Sequence, residues 1–596
     1  MNMAREASGV SMQIRAMALA AILGVALGGC SRPTEEPRTE PRTEPGTEAV
    51  TEARPVWAEF ASTTIAEYYR RNPETAVNAG LHEYDGRMRD LSLAANQEYL
   101  DWLERTRGEI QAYDGLEGVE EFERQYLLAA LAGEIFDYGT SGFIRSNPIF
   151  YSGHIGTSVY IDRDYAPLTV RLGAFNRYIA QLPAFLQIMK SNLEPPLPAP
   201  YVQVGQRILA GYADYLRNTV PGIFSSVEDE ELQAEFKAVN TAAIDAAQQA
   251  ADWLDTLKDG ANDDYALGEE RFLQMLRDKE GIDISIAELK AAGERDLQAN
   301  LIALEEACAK FAPGSDVKDC VLDVQNRKPE GGAVEGARRQ LPMLRQFLED
   351  NELVTIPGTE EALVDEAPPH RRFNAAYINI PGPYESGLPS TYYIAPADPE
   401  WSVEDQRAYI PGETSLLAIS VHEVWPGHFL QFLHANRADN SVGRHFGTYT
   451  FTEGWAHYTE QMMWDAGLGE GDPEVRIGQL LNALLRNVRY LSAIGLHAEG
   501  MTIDESRQMF LDKAFQDYGN AEQQSLRGTY DPGYLNYTLG KLMINKLRSD
   551  WVRDRGGREA WGEFHDRFLA YGSPPIPLVR RQMLGEDYEG DSALLP

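Results

Sequence analysis

Beyond residue 57, apolar side chains recur every three to four positions, the spacing that lines one face of a helix. The segment 231–258 (ELQAEFKAVNTAAIDAAQQAADWLDTLK) predicts a long, Ala-rich helix or helix pair. Segment 285–311 predicts another, stopped by Pro313-Gly314. Segment 474–498 predicts a long helix apolar on one face. Segment 502–518 predicts a helix that opens with Thr-Ile-Asp-Glu, a capping-box pattern. Strand character is confined to 372–380 and 390–394, where aromatic and β-branched residues lie between Pro and Gly breaks. A soft boundary falls at 355–370. The chain shows no solenoid-type repeat. The expected fold is mainly α, with an N-terminal helical lobe (56–360), a C-terminal helical lobe (361–596) and a small β element near 372–394. The two halves would pack around one cleft.

The N-terminus departs from this pattern. Arg5 and Arg15 precede an apolar run at 16–27 (AMALAAILGVAL). The run is too short for a membrane span, which needs about 20 residues, and fits the core of an export signal. It ends in Leu27-Gly28-Gly29-Cys30, which resembles the bacterial lipobox. That resemblance implies cleavage before Cys30, lipidation of its thiol and attachment to the bacterial envelope, on the outer membrane or facing the periplasm. The plain alternative is an ordinary signal peptide with an incidental Cys. Residues 31–55 (SRPTEEPRTEPRTEPGTEAVTEARP) are a Pro/Thr/Glu tract that cannot bury a core and predicts an extended tether. The body would thus be held off a membrane by its lipid anchor alone.

Lys and Arg total 54 against 91 Asp and Glu, a formal net charge of −37. This excludes a general nucleic-acid binder and an electrostatically held anionic-lipid binder. With 43% hydrophobic residues the chain can build a large core. With Cys30 lipidated, Cys308 and Cys320 remain, flanking Pro313-Gly314. An exported protein meets oxidising conditions, so a local Cys308–Cys320 disulfide is expected; two buried thiols are the alternative.

Six of the ten histidines fall between positions 422 and 497. The window opens with Val421-His422-Glu423-Val424-Trp425-Pro426-Gly427-His428. A helical HExxH zinc motif spaces its histidines i, i+4 on one face. Here the spacing is i, i+6, which on an ideal helix sets His428 about 120° from His422. A regular helix cannot use both. Pro426 removes a donor and Gly427 permits unusual backbone, so a bulge or break could return His428 to the face of His422. The alternative is a core helix ending at Pro-Gly with two chance histidines.

A second piece, Thr452-Glu453-Gly454-Trp455-Ala456-His457-Tyr458-Thr459-Glu460, sets Glu453, His457 and Glu460 at i, i+4 and i+7. A carboxylate from a second helix completes a His, His, Glu zinc site with one position open. A solvated acidic face is the competing reading, though Trp455, Ala456 and Tyr458 make a poor surface helix.

These motifs resemble the bacterial domain-of-unknown-function 885 family, grouped with gluzincin-type zinc metallopeptidases. The resemblance rests on His422-Glu423-Val424-Trp425-Pro426-Gly427-His428 followed by Gln431, and on Glu453 to Glu460. It extends to Arg489 with Gly495-Leu496-His497, and to Pro532-Gly533, Tyr537, Gly540 and Arg548. The sequence departs from the family pattern at Ala493, where Asp is frequent, and at His457, where Leu is common. The resemblance implies a two-lobed metallopeptidase-like fold around a deep cleft that admits short peptides.

The expected roles follow from chemistry. One Zn2+ per chain, held by His422, His428 and Glu453, would activate a water. Glu423 would take its proton and pass it to the leaving amine. Tyr537 and His497 are candidates to stabilise the oxyanion, with Tyr534 and Tyr530 in reserve. Arg489 or Arg548 could bind a peptide carboxylate, and Tyr534 is a further substrate-binding candidate. His370, His434, His445 and His565 read as surface or satisfied core positions. The expected function is hydrolysis of short peptides in the cell envelope. The alternatives are a non-catalytic peptide- or metal-binding lipoprotein, or a zinc amidase acting on cell-wall or modified amino-acid amides.

Overall fold

The computed structural model describes residues 55–596 apart from 369–371, 373–375, 386, 398–401, 586, 587 and 589. The export signal, Cys30, nearly all of the tether and His370 lie outside the described residues. The chain is mainly helical and carries one small mixed sheet. No described helix is long and apolar enough to cross a membrane.

The Ala-rich segment forms one helix, Glu230–Thr256. Asp229 caps it by accepting from the Leu232 amide. Its buried stripe is Phe236, Asn240, Ala243, Ala247, Ala250, Ala251 and Leu254. Small side chains on that face let it pack along the Ala199–Asn218 helix in the N-terminal core.

The Ile286–Phe311 helix opens with a complete capping box, Ser285 with Glu288. It ends ahead of Pro313, and Gly314 turns the chain at φ 90°. The chain returns as the Val317–Asn326 helix, and a disulfide joins Cys308 to Cys320 across the turn. Closing a loop of this size constrains the unfolded chain by about 3 kcal/mol. Both sulfurs sit in an apolar cluster with Ile477, Leu480 and Leu484 of the Pro473–Ile494 helix.

The 502–518 expectation shortens. Thr502 and Glu505 form the capping box, but the helix stops at Lys513. Phe515 takes a left-handed φ of 53°, and Asp517 caps a new helix, Tyr518–Tyr530. A strong N-cap residue therefore divided what periodicity joined.

Strand β3 occupies Ser390–Ile394, as expected, and within the expected 372–380 segment β2 spans Ala376–Asn379, with 373–375 outside the described residues. The third strand was not legible: β1, Ala362–Glu366, lies in the stretch read as a soft boundary. Only Val364 of β1 is buried, so its apolar signal is weak. Sheet order is β1-β3-β2, with β1 parallel and β2 antiparallel to β3. Arg338 of the Ala333–Asp350 helix donates to the Val364 carbonyl and ties the sheet edge to the helices. The largest core cluster draws residues from both sides of position 360, from Phe136 and Leu267 to Met583.

Candidate metal centre

The helix Glu413–Glu423 carries His422 and Glu423 in its last turn. Pro426, with no N–H, follows a cis peptide bond from Trp425. The amides of Val424 and Trp425 both turn back to the Ser420 carbonyl, and the Gly427 amide donates to Val421 at 2.9 Å. A side chain at Gly427 would collide with the His422 carbonyl, so only glycine permits this close pass. A new helix, His428–Ala435, then begins. The motif is thus two helices joined by a Pro-Gly break rather than one bulged helix. The break sets the rings of His422 and His428 edge to face, 4.8 Å apart.

The carboxylate comes from the Tyr449–Asp465 helix, whose N-cap is Thr448. This helix meets Asn536–Val552 backbone to backbone where Gly454 faces Gly540. Trp455 Nε1 donates to the Pro426 carbonyl at 2.9 Å and pins the break against the second helix. Glu453 Oε2 then lies 3.3 Å from His422 Nε2 and 3.2 Å from His428 Nε2. These three buried residues form a group that could hold a metal ion.

Four ligands about 2.0–2.1 Å from a tetrahedral ion stand about 3.3 Å apart. The two observed separations, 3.3 and 3.2 Å, match that edge. Glu453 Oε2 and His428 Nδ1 have no hydrogen-bond partner, although both are buried. A buried carboxylate oxygen without a donor is costly, and a cation among the three donors supplies what is missing. The donor set, two imidazoles and one carboxylate, suits zinc.

A layer of polar groups backs the ligands. Glu460 Oε1 lies 2.8 Å from His422 Nδ1 and 3.2 Å from Arg486 Nη2. Burial raises the Glu460 pKa, but Arg486, His457 and His422 outweigh it and hold the carboxyl well below its usual range. Such a carboxylate fixes the ring orientation of His422 and leaves Nε2 toward the ligand group. His457 Nδ1 approaches Glu460 Oε2 at 3.4 Å, and burial pushes this imidazole down to about 4. Neither His457 nor Glu460 belongs to the metal-holding group found among the described residues.

Glu423, beside the first histidine, accepts a hydrogen bond of 3.1 Å from the Ile378 amide of β2. The sheet edge thus abuts this carboxylate. Tyr537 stacks on His422 at 6.2 Å between ring centroids. Burial and the Glu453 charge raise its pKa, so its hydroxyl keeps its proton.

The other expected site residues fall at varied places. The Leu267 amide donates to His497 Nδ1 at 3.2 Å, so Nε2 carries the proton and bonds the Gly528 carbonyl at 2.7 Å. Both ring nitrogens of His497 are occupied by backbone. Tyr534 donates to Ser492 Oγ at 2.8 Å in a fully buried position. Arg489 lies 5.1 Å above the Tyr537 ring and donates to Gln524 at 2.8 Å. Arg548 stacks on Trp561 at 3.8 Å and donates to the Tyr458 hydroxyl at 2.7 Å. Tyr458 donates to His565 Nε2 at 2.6 Å, and His565 Nδ1 donates to the Leu353 carbonyl at 2.6 Å. This chain makes His565 a satisfied core histidine. His434 bonds the Thr355 carbonyl at 2.8 Å, and His445 faces Tyr69.

Sequence reasoning missed Arg486 and the Ile378 amide. The first had a signal: Arg486 and Arg489 stand i, i+3 on the otherwise apolar face of a long helix. The second had none, because a backbone donor is set by strand placement alone.

Fold and site together define a mainly helical protein with a buried His-His-Glu group able to bind a metal ion. The model of the family described as bacterial protein of unknown function (DUF885) matches residues 73–583, and the chain belongs to that family. No curated protein matches it. Among solved structures, a candidate lipoprotein of unknown function from Shewanella oneidensis is similar, with TM-score 0.73 and 23% identity over 89% of this chain and 100% of that one. A candidate lipoprotein from Colwellia psychrerythraea is similar at TM-score 0.74 and 16% identity, over 88% of this chain and 98% of that one. At these identities the likeness is one of fold.

Proposed function

We propose that the protein is a zinc-dependent hydrolase that cleaves peptide bonds of short peptides in the bacterial envelope. The observation that carries this reading is the approach of Glu453 to His422 and His428 at 3.3 and 3.2 Å, with Glu423 next to a ligand in sequence yet outside the ligand group. A structural site has no need of a carboxylate that is not a ligand in that place.

His422, His428 and Glu453 would hold the ion, with His422 oriented by Glu460. When bound, zinc supplies Lewis acidity, polarising the substrate carbonyl and acidifying a water. Glu423 removes a proton from the attacking water as its oxygen bonds to the carbonyl carbon. The same carboxyl returns that proton to the nitrogen as the C–N bond breaks. Tyr537 donates its hydroxyl proton toward the oxygen that becomes negative in the transition state. The envelope location is supported by the lipobox-like 27–30 and by the two similar structures, both described as candidate lipoproteins.

Glu423→Gln tests the reading. Zinc content by elemental analysis should stay at about one equivalent, the stoichiometry of a three-ligand site. Turnover of a fluorogenic peptide library should fall about 10²-fold or more, the scale of lost acid–base catalysis. Loss of zinc would make Glu423 a ligand. Full activity, or a wild-type chain that takes up no zinc, would overturn the reading.

A further inference from the structure

We propose that Arg489 anchors a carboxylate of the peptide, so that the site cuts close to a carboxylate-bearing end; this rests on the peptidase reading above. Three guanidinium groups act on Tyr537: Arg486 and Arg489 lie 5.7 and 5.1 Å from its ring, and Arg527 is near enough to lower its pKa. Arg486 is paired with Glu460 at 3.2 Å, and Arg527 with Asp531 at 2.8 Å. Arg489 has only the neutral Gln524 oxygen, reached through Nε at 2.8 Å, and forms no ion pair with a described carboxylate. Three cations share two carboxylates, and the one left over is 9% exposed.

A buried charge without a counter-ion is strongly disfavoured unless a ligand completes it. Burial and the neighbouring Arg527 push Arg489 down to about 10, which leaves it charged at neutral pH. Its two η nitrogens form the planar fork that matches a carboxylate.

Solvent contact picks out the same line of residues. His422, Glu453, Tyr537, His428 and Arg489 keep 5, 7, 6, 9 and 9% exposure, whereas His457, Asn487 and Ser492 are at 0%. The ligand group, Tyr537 and Arg489 thus each keep a little solvent contact. The guanidinium is 5.1 Å from the Tyr537 ring, and that ring is 6.2 Å from His422. A peptide residue spans about 3.3–3.6 Å, so a carboxylate held by Arg489 places the scissile carbonyl within about three residues. Arg548, the other sequence candidate, has its guanidinium on Trp561 and Tyr458.

A terminal α-carboxylate and an Asp or Glu side chain share this chemistry. Calorimetric titration of the metal-stripped full chain separates them and needs no turnover. The probes are Ala-Ala-Phe as free acid, Ala-Ala-Phe amide and Ala-Ala-Glu amide. The free acid should bind at least tenfold more tightly than its amide, and Arg489→Gln should erase the difference while Arg489→Lys keeps part of it. Preference for the Glu amide instead would assign the side-chain source to the same anchor. Equal binding of all three, no binding, or a preference that survives Arg489→Gln would overturn the proposal. The thermal midpoint of Arg489→Gln should equal or exceed that of the wild type, because a lone charge is removed. A drop like that of Arg527→Gln, which loses an ion pair, would assign Arg489 a structural role and overturn the proposal. Zinc content and hydrolysis by the metal-loaded chain report on the peptidase reading separately.

Discussion

The Ala199–Asn218 and Glu230–Thr256 pair and the Tyr449–Asp465 and Asn536–Val552 pair are both long, closely packed helices, but they bury different things. The first pair buries Ala, Leu and Val, and its inner Asn240 amide donates to the Leu216 carbonyl. The second pair also closes on small residues, Gly454 against Gly540, yet the Tyr449–Asp465 helix buries Glu453, His457 and Glu460. Around it lie buried polar atoms with no hydrogen-bond partner, including Glu453 Oε2 and His457 Nε2. Apolar burial in the first pair contributes stability directly. The second spends the same kind of packing on holding polar groups that the fold alone leaves incomplete. Such local violations of packing rules gather at functional sites.

The largest effect should come from removing a ligand. His428→Ala should weaken zinc binding by several orders of magnitude, read by competition with a chromophoric chelator, since two ligands remain where a site needs three. The metal-free variant should also unfold earlier than the metal-free wild type, because the buried Glu453 carboxylate loses one of the two imidazoles beside it. His434→Ala, whose ring bonds a backbone carbonyl away from the centre, should bind zinc normally. Normal zinc binding by His428→Ala would remove the contrast between the two helix pairs.

Next comes an acid effect in the polar pair's surroundings. His565 is held neutral, its pKa lowered by burial and then by Arg548 and Arg558 to about 3, while the backbone bond to Leu353 and the contact with Tyr458 favour the observed tautomer. The unfolded histidine titrates near 6.5. A depressed folded pKa contributes stability above about pH 6.5 that is lost progressively as pH falls toward 3. Denaturant unfolding between pH 7 and 4 should therefore show a steeper acid loss in the wild type than in His565→Gln. Parallel pH curves would show that His565 is not held neutral by its site.

The smallest effect should be in the apolar pair. Ala247→Leu adds bulk to the stripe against the Ala199–Asn218 helix and should cost about 1–3 kcal/mol by overpacking. Zinc content should not change, because none of the centre's residues lies in that cluster. A loss of metal in this variant would show that the two regions are coupled and would end the comparison.

Much of the site could be read from residue types and spacing. Pro426-Gly427 between two histidines announced a backbone break, and His422, His428 and Glu453 do converge on one point. What could not be read was how the break works. Two helices meet there, held by an indole donating to the Pro426 carbonyl from a helix later in the chain. The strand β1 escaped because one buried residue leaves no period to detect. His497 and Arg548 had the same motif-level warrant as Tyr537 and Arg489, and Tyr534 stood beside them as a reserve. Their hydrogen-bond partners, a carbonyl, a serine and a tyrosine, come from positions that no local pattern links to them.

By itself the sequence determined the helical class, the helix caps, the break before His428 and the donor types at the metal group. These are short-range matters of periodicity, backbone freedom and side-chain chemistry. Tertiary structure decided which buried polar groups are completed by the protein and which are left open. Arg486 finds Glu460 and Arg527 finds Asp531, while Arg489 finds only an amide. Whether a charge is paired depends on what packing brings within a few ångströms, and residues far apart in the chain supply it.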